Sequence, residues 1–360
     1  MKKLPLTILF CAMSTSLFAQ TNDNVDAIIQ KEMTARKITG LQLAVVKNGK
    51  LVKTGNYGYA NLQDSIPVDQ NTLFTINSIT KAFTGVAIMQ LVEEGKIDLQ
   101  APISKYVDGL PISWQNVTIR QLASNISGIP NVMDGNGKLI ADGEVESWQK
   151  VKTLPNEFRA GEQFSYSQTN YVLLKKAIEK VCGMSFEDVV KKQQWEKAGM
   201  KSTLKFGFGD FYDIPYHAAR GYTYFVNGNL TNIHPEIFPP FVRAAAGMQS
   251  TAIEIANWLI ALQKLEIVKK KETLDEMWTP SRLTNGKTAG FGDVLNGYGI
   301  GWLTALRTNN PAVVSVGGGR SAVVVYRNED VSVVVLTNLQ GASPEYFIDQ
   351  IAKNYLSTNK

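Results

Sequence analysis

Strand-forming stretches gather at both ends of this chain of 360 residues, and helix-forming stretches fill its middle. The strands come in hairpin-connected pairs, which implies antiparallel pairing. The simplest arrangement joins N- and C-terminal strands into one sheet covered by terminal helices. A helical subdomain then sits beside it. This is an α/β (α+β) reading of a single domain over 21–360, with a sheet lobe from about 21–75 and 286–360 and a helical lobe from about 76–285. A cleft commonly forms between such lobes.

The pattern rests on local signals. Val25, Ile28, Ile29 and Met33 recur at helical spacing across 22–36. Leu41–Val46 and Leu51–Tyr59 read as strands joined at Asn48-Gly49, a strong hairpin signal. Ile79, Phe83, Val86 and Leu91 give a helix over 78–94, with Thr75 or Asn77 as its cap and Gly95 as its stop. Further helices are expected from Thr118, from Thr169 to Val181, from Ser185 to about Lys197, from Thr251 to about Lys264 and near Thr273–Met277. Tyr298–Thr304, Val313–Val316, Ser321–Arg327 and Val331–Thr337 read as strands. Ser343-Pro344-Glu345 opens an amphipathic C-terminal helix. Residues 201–245, rich in Gly, Pro and Tyr, give no clear assignment.

Several function classes fall away. Residues 1–20 carry Lys2 and Lys3, an apolar run from Leu4 to Phe18, and a small residue at Ala19. That is the pattern of a signal peptide, so a periplasmic or secreted protein is expected. The run is short for a membrane span, and bulky Phe10 before Cys11 disfavours lipidation. The formal net charge of +5 is spread along the chain and calls for no nucleic-acid partner. Once the signal is removed one cysteine remains, Cys182, so no intrachain disulfide can form. His217 and His234 stand 17 residues apart with no metal-ligand spacing, and read as surface or loop histidines. Gly317, Gly318 and Gly319 are not followed by Gly-Lys-Ser/Thr, which sets phosphate binding aside. Neither a metal nor a cofactor is expected.

One pattern carries chemistry. Ser78 and Lys81 lie three residues apart at the start of a helix, so hydroxyl and amine share a face. Backbone N–H groups at a helix start favour negative charge there. A serine nucleophile needs a neighbour to take its proton, and histidine is scarce. Ser-x-x-Lys alone is weak: chance gives about one or two in a chain of this length. It occurs four times, at Ser78/Lys81, Ser147/Lys150, Ser202/Lys205 and Ser357/Lys360. Only the first opens a long apolar-periodic helix.

Longer landmarks single it out. In order they are TLFTINSITKAFTGVAIMQLVEEGKIDL, VTIRQLASNISGIP, FSYSQTNYVLL, AAAGMQSTAIEIANWL, YGIGW and VGGGR followed by VVVYRNEDVSVVVLTN. Over roughly 25–340 the chain resembles the serine β-lactamase and penicillin-binding-protein superfamily, nearest the class C β-lactamases and related D-alanyl-D-alanine carboxypeptidases and esterases. The resemblance implies the β-lactamase/transpeptidase-like fold. It implies that Ser78 is acylated, that Lys81 is its partner and that Tyr166 is the tyrosine of the second motif. It places the oxyanion at the N–H groups of Ser78 and Gly319, with Gly318, Gln168 and Arg320 around the substrate. Which of Lys81 and Tyr166 takes the proton stays open.

Two departures stand out. The second motif reads Tyr166-Ser167-Gln168 where relatives carry Tyr-x-Asn, and the longer amide alters the reach to Lys81. The third aligns as Val316-Gly317-Gly318, so the usual Lys or His is missing, with Arg320 as a substitute cation. Asn125 stands where relatives often have His and reads as structural. Tyr222, Tyr224 and Phe225 are cleft or packing aromatics. The expected function is an exported serine hydrolase that forms an acyl-enzyme and cleaves an amide or ester in a small molecule or peptide: a β-lactam, a D-amino-acid peptide or a small ester. The alternative is a binding or regulatory protein of the same fold with weak turnover or none.

Overall fold

A computed structural model describes residues 24–208, 217–233 and 238–357. The expected signal peptide, Cys11, His234 and Lys360 lie outside the described residues. Among those described, no helix is long and apolar enough to cross a membrane.

The strands in chain order are β1 (Gly40–Lys47), β2 (Lys50–Asn61), β3 (Ile66–Pro67), β4 (Phe74–Asn77), β5 (Tyr222–Thr223), β6 (Thr231–Asn232), β7 (Met248–Ser250), β8 (Gly297–Tyr298), β9 (Leu303–Ala305), β10 (Ala312–Gly317), β11 (Ser321–Tyr326), β12 (Val331–Thr337) and β13 (Leu339–Gln340). Eight form one sheet in the order β3-β2-β1-β12-β11-β10-β9-β8. The two chain ends meet at its centre, where β1 pairs antiparallel with β12 from Leu41↔Thr337 to Lys47↔Val331. The expected joining of N- and C-terminal strands is what forms. β-branched residues dominate these central strands, and both faces are buried, which suits the near-continuous Val run of 331–335.

Terminal helices cover one face. Helix Asn24–Arg36 is tied to β2 by Tyr57, whose hydroxyl donates to Asp26 Oδ1 at 2.5 Å, with Lys53 Nζ beside the same carboxylate. At the C-terminus, Pro344–Tyr346 is a short 3-10 turn and the helix proper is Ile348–Ala352, later and shorter than the sequence suggested. Asp349 anchors it by accepting from Arg307 and from the Tyr326 hydroxyl of β11.

The other face carries the helical subdomain, built around helix Thr80–Glu93. Its apolar periodicity suggested a stripe. Instead every residue from Thr80 to Leu91 is buried, so the helix runs through the core rather than along its edge. Phe83 stacks on Trp258 at 3.9 Å, and Trp258 on Trp302 at 5.8 Å. The expected single strand Tyr298–Thr304 is two short strands folded back on each other, with Tyr298 opposite Leu303. Gly301 makes the reversal at φ +81, and a Cβ there would meet the Lys81 carbonyl oxygen at 2.4 Å. This turn is pressed against the central helix, which fixes the helix relative to the sheet.

Gln42 of β1 also joins the two parts. It is buried, donates to Asp69 O at 2.6 Å, and accepts from Ala252 N–H at 2.8 Å. Ala252 opens helix Ala252–Gln263, which Thr251 caps as expected. A buried polar group stripped of its partner costs about 1–3 kcal/mol. Gln42→Leu strands two such groups, so we expect it to lower unfolding stability by roughly 2–6 kcal/mol in denaturant titration.

Candidate active site

β4 delivers the chain to Ser78. Asn77 ends the strand in the left-handed region, at φ +50, and turns the backbone sharply. Ser78 and Ile79 then form a turn, closed by Lys81 N–H to Ser78 O at 3.0 Å, before the helix starts at Thr80. This corrects the expected cap. Neither Thr75 nor Asn77 accepts from the helix start; Thr80 Oγ1 reaches back to Asn77 O at 2.6 Å instead. Ser78 therefore precedes the helix, at its positive end, and shares its approach with Lys81 one turn on.

Lys81 is 1% exposed. Its Nζ donates to Gln168 Oε1 at 2.7 Å and to the Ala245 carbonyl at 2.8 Å. Both acceptors are uncharged. The amine also lies over two aromatic faces, 4.5 Å from the Tyr166 ring centroid and 4.9 Å from that of Tyr171. Burial pushes its pKa well below the ordinary 10.5, because an ammonium loses its hydration there.

Tyr166 stands opposite, with the Ser78 side chain acting on its hydroxyl. Burial, with Tyr298 nearby, raises its pKa well above 10.0, and the neighbouring Ser78 side chain only partly opposes this. Behind it, the hydroxyls of Tyr171 and Tyr298 are 3.3 Å apart, and Tyr171 donates to Ala123 O at 2.9 Å. Asn125 holds the segment in place. Its Oδ1 accepts from Ser167 N–H at 3.2 Å and from Asn170 Nδ2 at 3.1 Å, and its carbonyl accepts from Ser165 N–H at 2.9 Å. Tyr166 is thus fixed by the residues on either side of it.

The fourth wall is the hairpin between β10 and β11. Gly318 and Gly319 occupy its turn at φ +58 and +64, closed by Arg320 N–H to Gly317 O at 2.9 Å. Gly317 lies against β4, the strand that leads to Ser78: a Cβ there would fall 2.0 Å from Ile76 O. The Gly319 carbonyl accepts from Gly341 N–H at 3.2 Å and Ser343 N–H at 2.8 Å, which orients the turn. Among the described residues, no backbone carbonyl takes the N–H of Ser78 or Gly319. Arg320, 6% exposed, ends the turn, and its carbonyl accepts from Thr337 N–H and Oγ1. Val316 packs against the cluster that contains Tyr298 and Val314.

The sequence profile of the Beta-lactamase family matches residues 25–354. The chain belongs to the beta-lactamase family. It is 27% identical over 286 residues to penicillin-binding protein 4* of Bacillus subtilis (strain 168), covering 76% of this chain and 61% of that protein. It is 26% identical over 335 residues to protein flp of Staphylococcus aureus (strain NCTC 8325 / PS 47), covering 89% and 64%. The chain thus spans under two thirds of the length of either relative. Among solved structures, the octameric penicillin-binding protein homologue from Pyrococcus abyssi superposes with a TM-score of 0.76 at 28% identity, covering 92% of this chain and 76% of that one. D-amino acid amidase from Ochrobactrum anthropi SV3 shares the fold at a TM-score of 0.76 and 23% identity.

Within this family member, the structure brings Ser78, Lys81, Tyr166 and Gln168 into one cluster and sets the 317–319 turn beside the strand that leads to Ser78. Two of the other Ser-x-x-Lys copies lie away from this cluster, and the last runs beyond the described residues. Ser147 is buried and bonds the backbone of Ala141, and Lys150 Nζ donates to Ile140 O. Ser202 N–H is held by Glu254. Cys182 is a free thiol, half-buried rather than fully so. His217 is exposed, 3.9 Å from Asp69. Among the described residues, no three His, Cys, Asp or Glu side chains gather as a metal site. Tyr222 is a packing residue whose hydroxyl bridges Leu62 N–H and Gln63 Oε1, and Phe225 is exposed over Gly341. Sequence reasoning missed the Ala245 carbonyl, Tyr171 and Tyr298. A backbone acceptor has no residue-type signature, and the tyrosines fall inside an expected helix and an expected strand; the landmark FSYSQTNYVLL contains Tyr171 without marking its use.

Proposed function

We propose that this protein is an exported serine hydrolase that cleaves an amide or ester through an acyl-enzyme on Ser78. The supporting observation is the buried Lys81 amine, held by two uncharged acceptors beside a hydroxyl pair. A neutral lysine has two N–H groups and one lone pair. The N–H groups are used by Gln168 and Ala245, so the lone pair is left for the Ser78 side. Lys81 then takes the Ser78 proton, directly or through the neutral Tyr166 hydroxyl, as Oγ attacks the carbonyl. The resulting ammonium is stabilised by its two acceptors and two ring faces. Developing negative charge on the substrate oxygen falls to the N–H groups of Ser78 and Gly319. The proton returns to the leaving group, and water releases the acyl group by the reverse route.

Gln168 bears on the alternative of a binding protein without turnover. The longer side chain still reaches Lys81 at 2.7 Å, so this departure preserves the contact that Tyr-x-Asn implies. The apolar Val316 favours substrates that do not present a carboxylate at that point. D-amino-acid peptides, β-lactams and small esters are the substrate classes to compare. A fluorophosphonate probe is expected to label the mature protein on the peptide containing Ser78, and Ser78→Ala to remove the label. Absence of labelling of the wild type by fluorophosphonate, ester and β-lactam reagents alike would sink the enzyme reading.

A further inference from the structure

The cluster around Tyr166 continues outward into one aromatic side chain that is packed on its inner side and open to water on its outer side. Phe291 is 45% exposed. Its ring stands edge-on to Tyr166, with centroids 5.0 Å apart and planes at 66°, and edge-on to Phe164 at 5.9 Å and 73°. Phe164 in turn meets Tyr298 at 5.6 Å. The loop holds this ring in place, since Phe291 N–H donates to Leu295 O at 2.7 Å. A large apolar ring kept half in water costs solvation, and a closed turn that keeps it there points to a use. The Ser78 side chain acts on the Tyr166 hydroxyl, and Phe291 meets the ring of Tyr166, so Phe291 lies one ring away from the proposed nucleophile.

The chemistry of the surroundings selects a ligand. The rings that meet Phe291 are uncharged, and Val316 packs on the cluster that Tyr166 borders. The one ionisable side chain within two positions of Phe291 is Asp293, which disfavours an anion. Edge and face positions of aromatic rings pair best with another aromatic ring.

We propose that Phe291, with Phe164 and Tyr166, forms a subsite for an uncharged aromatic substituent of the substrate, and that Phe291 sets the preference for such substrates. This rests on the acyl-enzyme reading. The test uses two pairs of thioesters on the mature protein: phenylacetyl against acetyl with one aliphatic thiol, and acetyl esters of benzyl against ethyl thiol. In Phe291→Ala the phenyl-to-methyl ratio of kcat/KM is expected to fall about tenfold in at least one pair, and Phe291→Leu to fall less. A ratio within twofold of wild type in both pairs, with fluorophosphonate labelling of Ser78 intact, would overturn the subsite alone. A wild type that no acylating reagent labels would remove the acyl-enzyme reading and the subsite with it.

Discussion

Replacing Lys81 by methionine is expected to slow acylation of Ser78 by about 10²–10⁴-fold, the range over which a positioned base acts. The fold should survive. Methionine is similar in length, and it removes a buried amine whose hydration loss opposes folding. The Gln168 and Ala245 acceptors then lose a donor, which offsets part of that gain. Burst acylation with an activated ester, beside thermal unfolding, separates the two effects. Acylation within tenfold of wild type would pass the base role to Tyr166. The pH dependence follows with a definite sign. The base works as the neutral amine, so kcat/KM rises with pH through the pKa of Lys81 in the folded protein and then levels. Burial holds that pKa well below 10.5, so the rise precedes the ordinary lysine range. Tyr166 is pushed the other way, above 10.0, so no phenolate contributes a second rise near neutrality.

Gly317→Ala should harm both stability and rate. Its Cβ would sit 2.0 Å from Ile76 O and 3.3 Å from Asn77 Cβ. The closest atom is backbone and cannot yield as a flexible side chain would, so the hairpin and the strand that leads to Ser78 must part. Overpacking of this kind costs about 1–3 kcal/mol. A displacement of about 1 Å between nucleophile and oxyanion donor is worth about 10²-fold in rate. Denaturant titration and acylation kinetics on the same variant check both halves. A protein unchanged in both would show that the two elements do not touch.

Much of this was readable in advance because it is local. Asn48-Gly49 announces its hairpin through two residues, and the Val runs announce their strands. Ser78 and Lys81 stand out through context, and the order of the landmarks around them gives the family. The failures share one cause, which is tertiary contact. Asn77 looked like a cap, but it adopts a left-handed turn and moves the helix start past Ser78. Tyr298–Thr304 looked like one strand, because nothing in its pattern shows that Gly301 must fit against Lys81. The central helix read as one-faced, since periodicity reports the most apolar stripe and not how many sides are covered. Tyr171 and Tyr298 meet only after the helical part has docked on the sheet.

The pairing of β1 with β12 has a consequence for how the protein is made. A ribosome finishes the β1–β2 hairpin and the Ser78 turn first, yet their neighbours β10, β11 and β12 emerge only after all the intervening helices. Until then the inner edge of β1 is an open strand without its native partner, and Ser78 lacks the wall that ends at Gly319. Contacts so distant along the chain close slowly and reward the chain late. The proposed site is therefore complete only once β10, β11 and β12 have joined the sheet, and a nascent chain that stops short of them carries Ser78 and Lys81 without their facing wall.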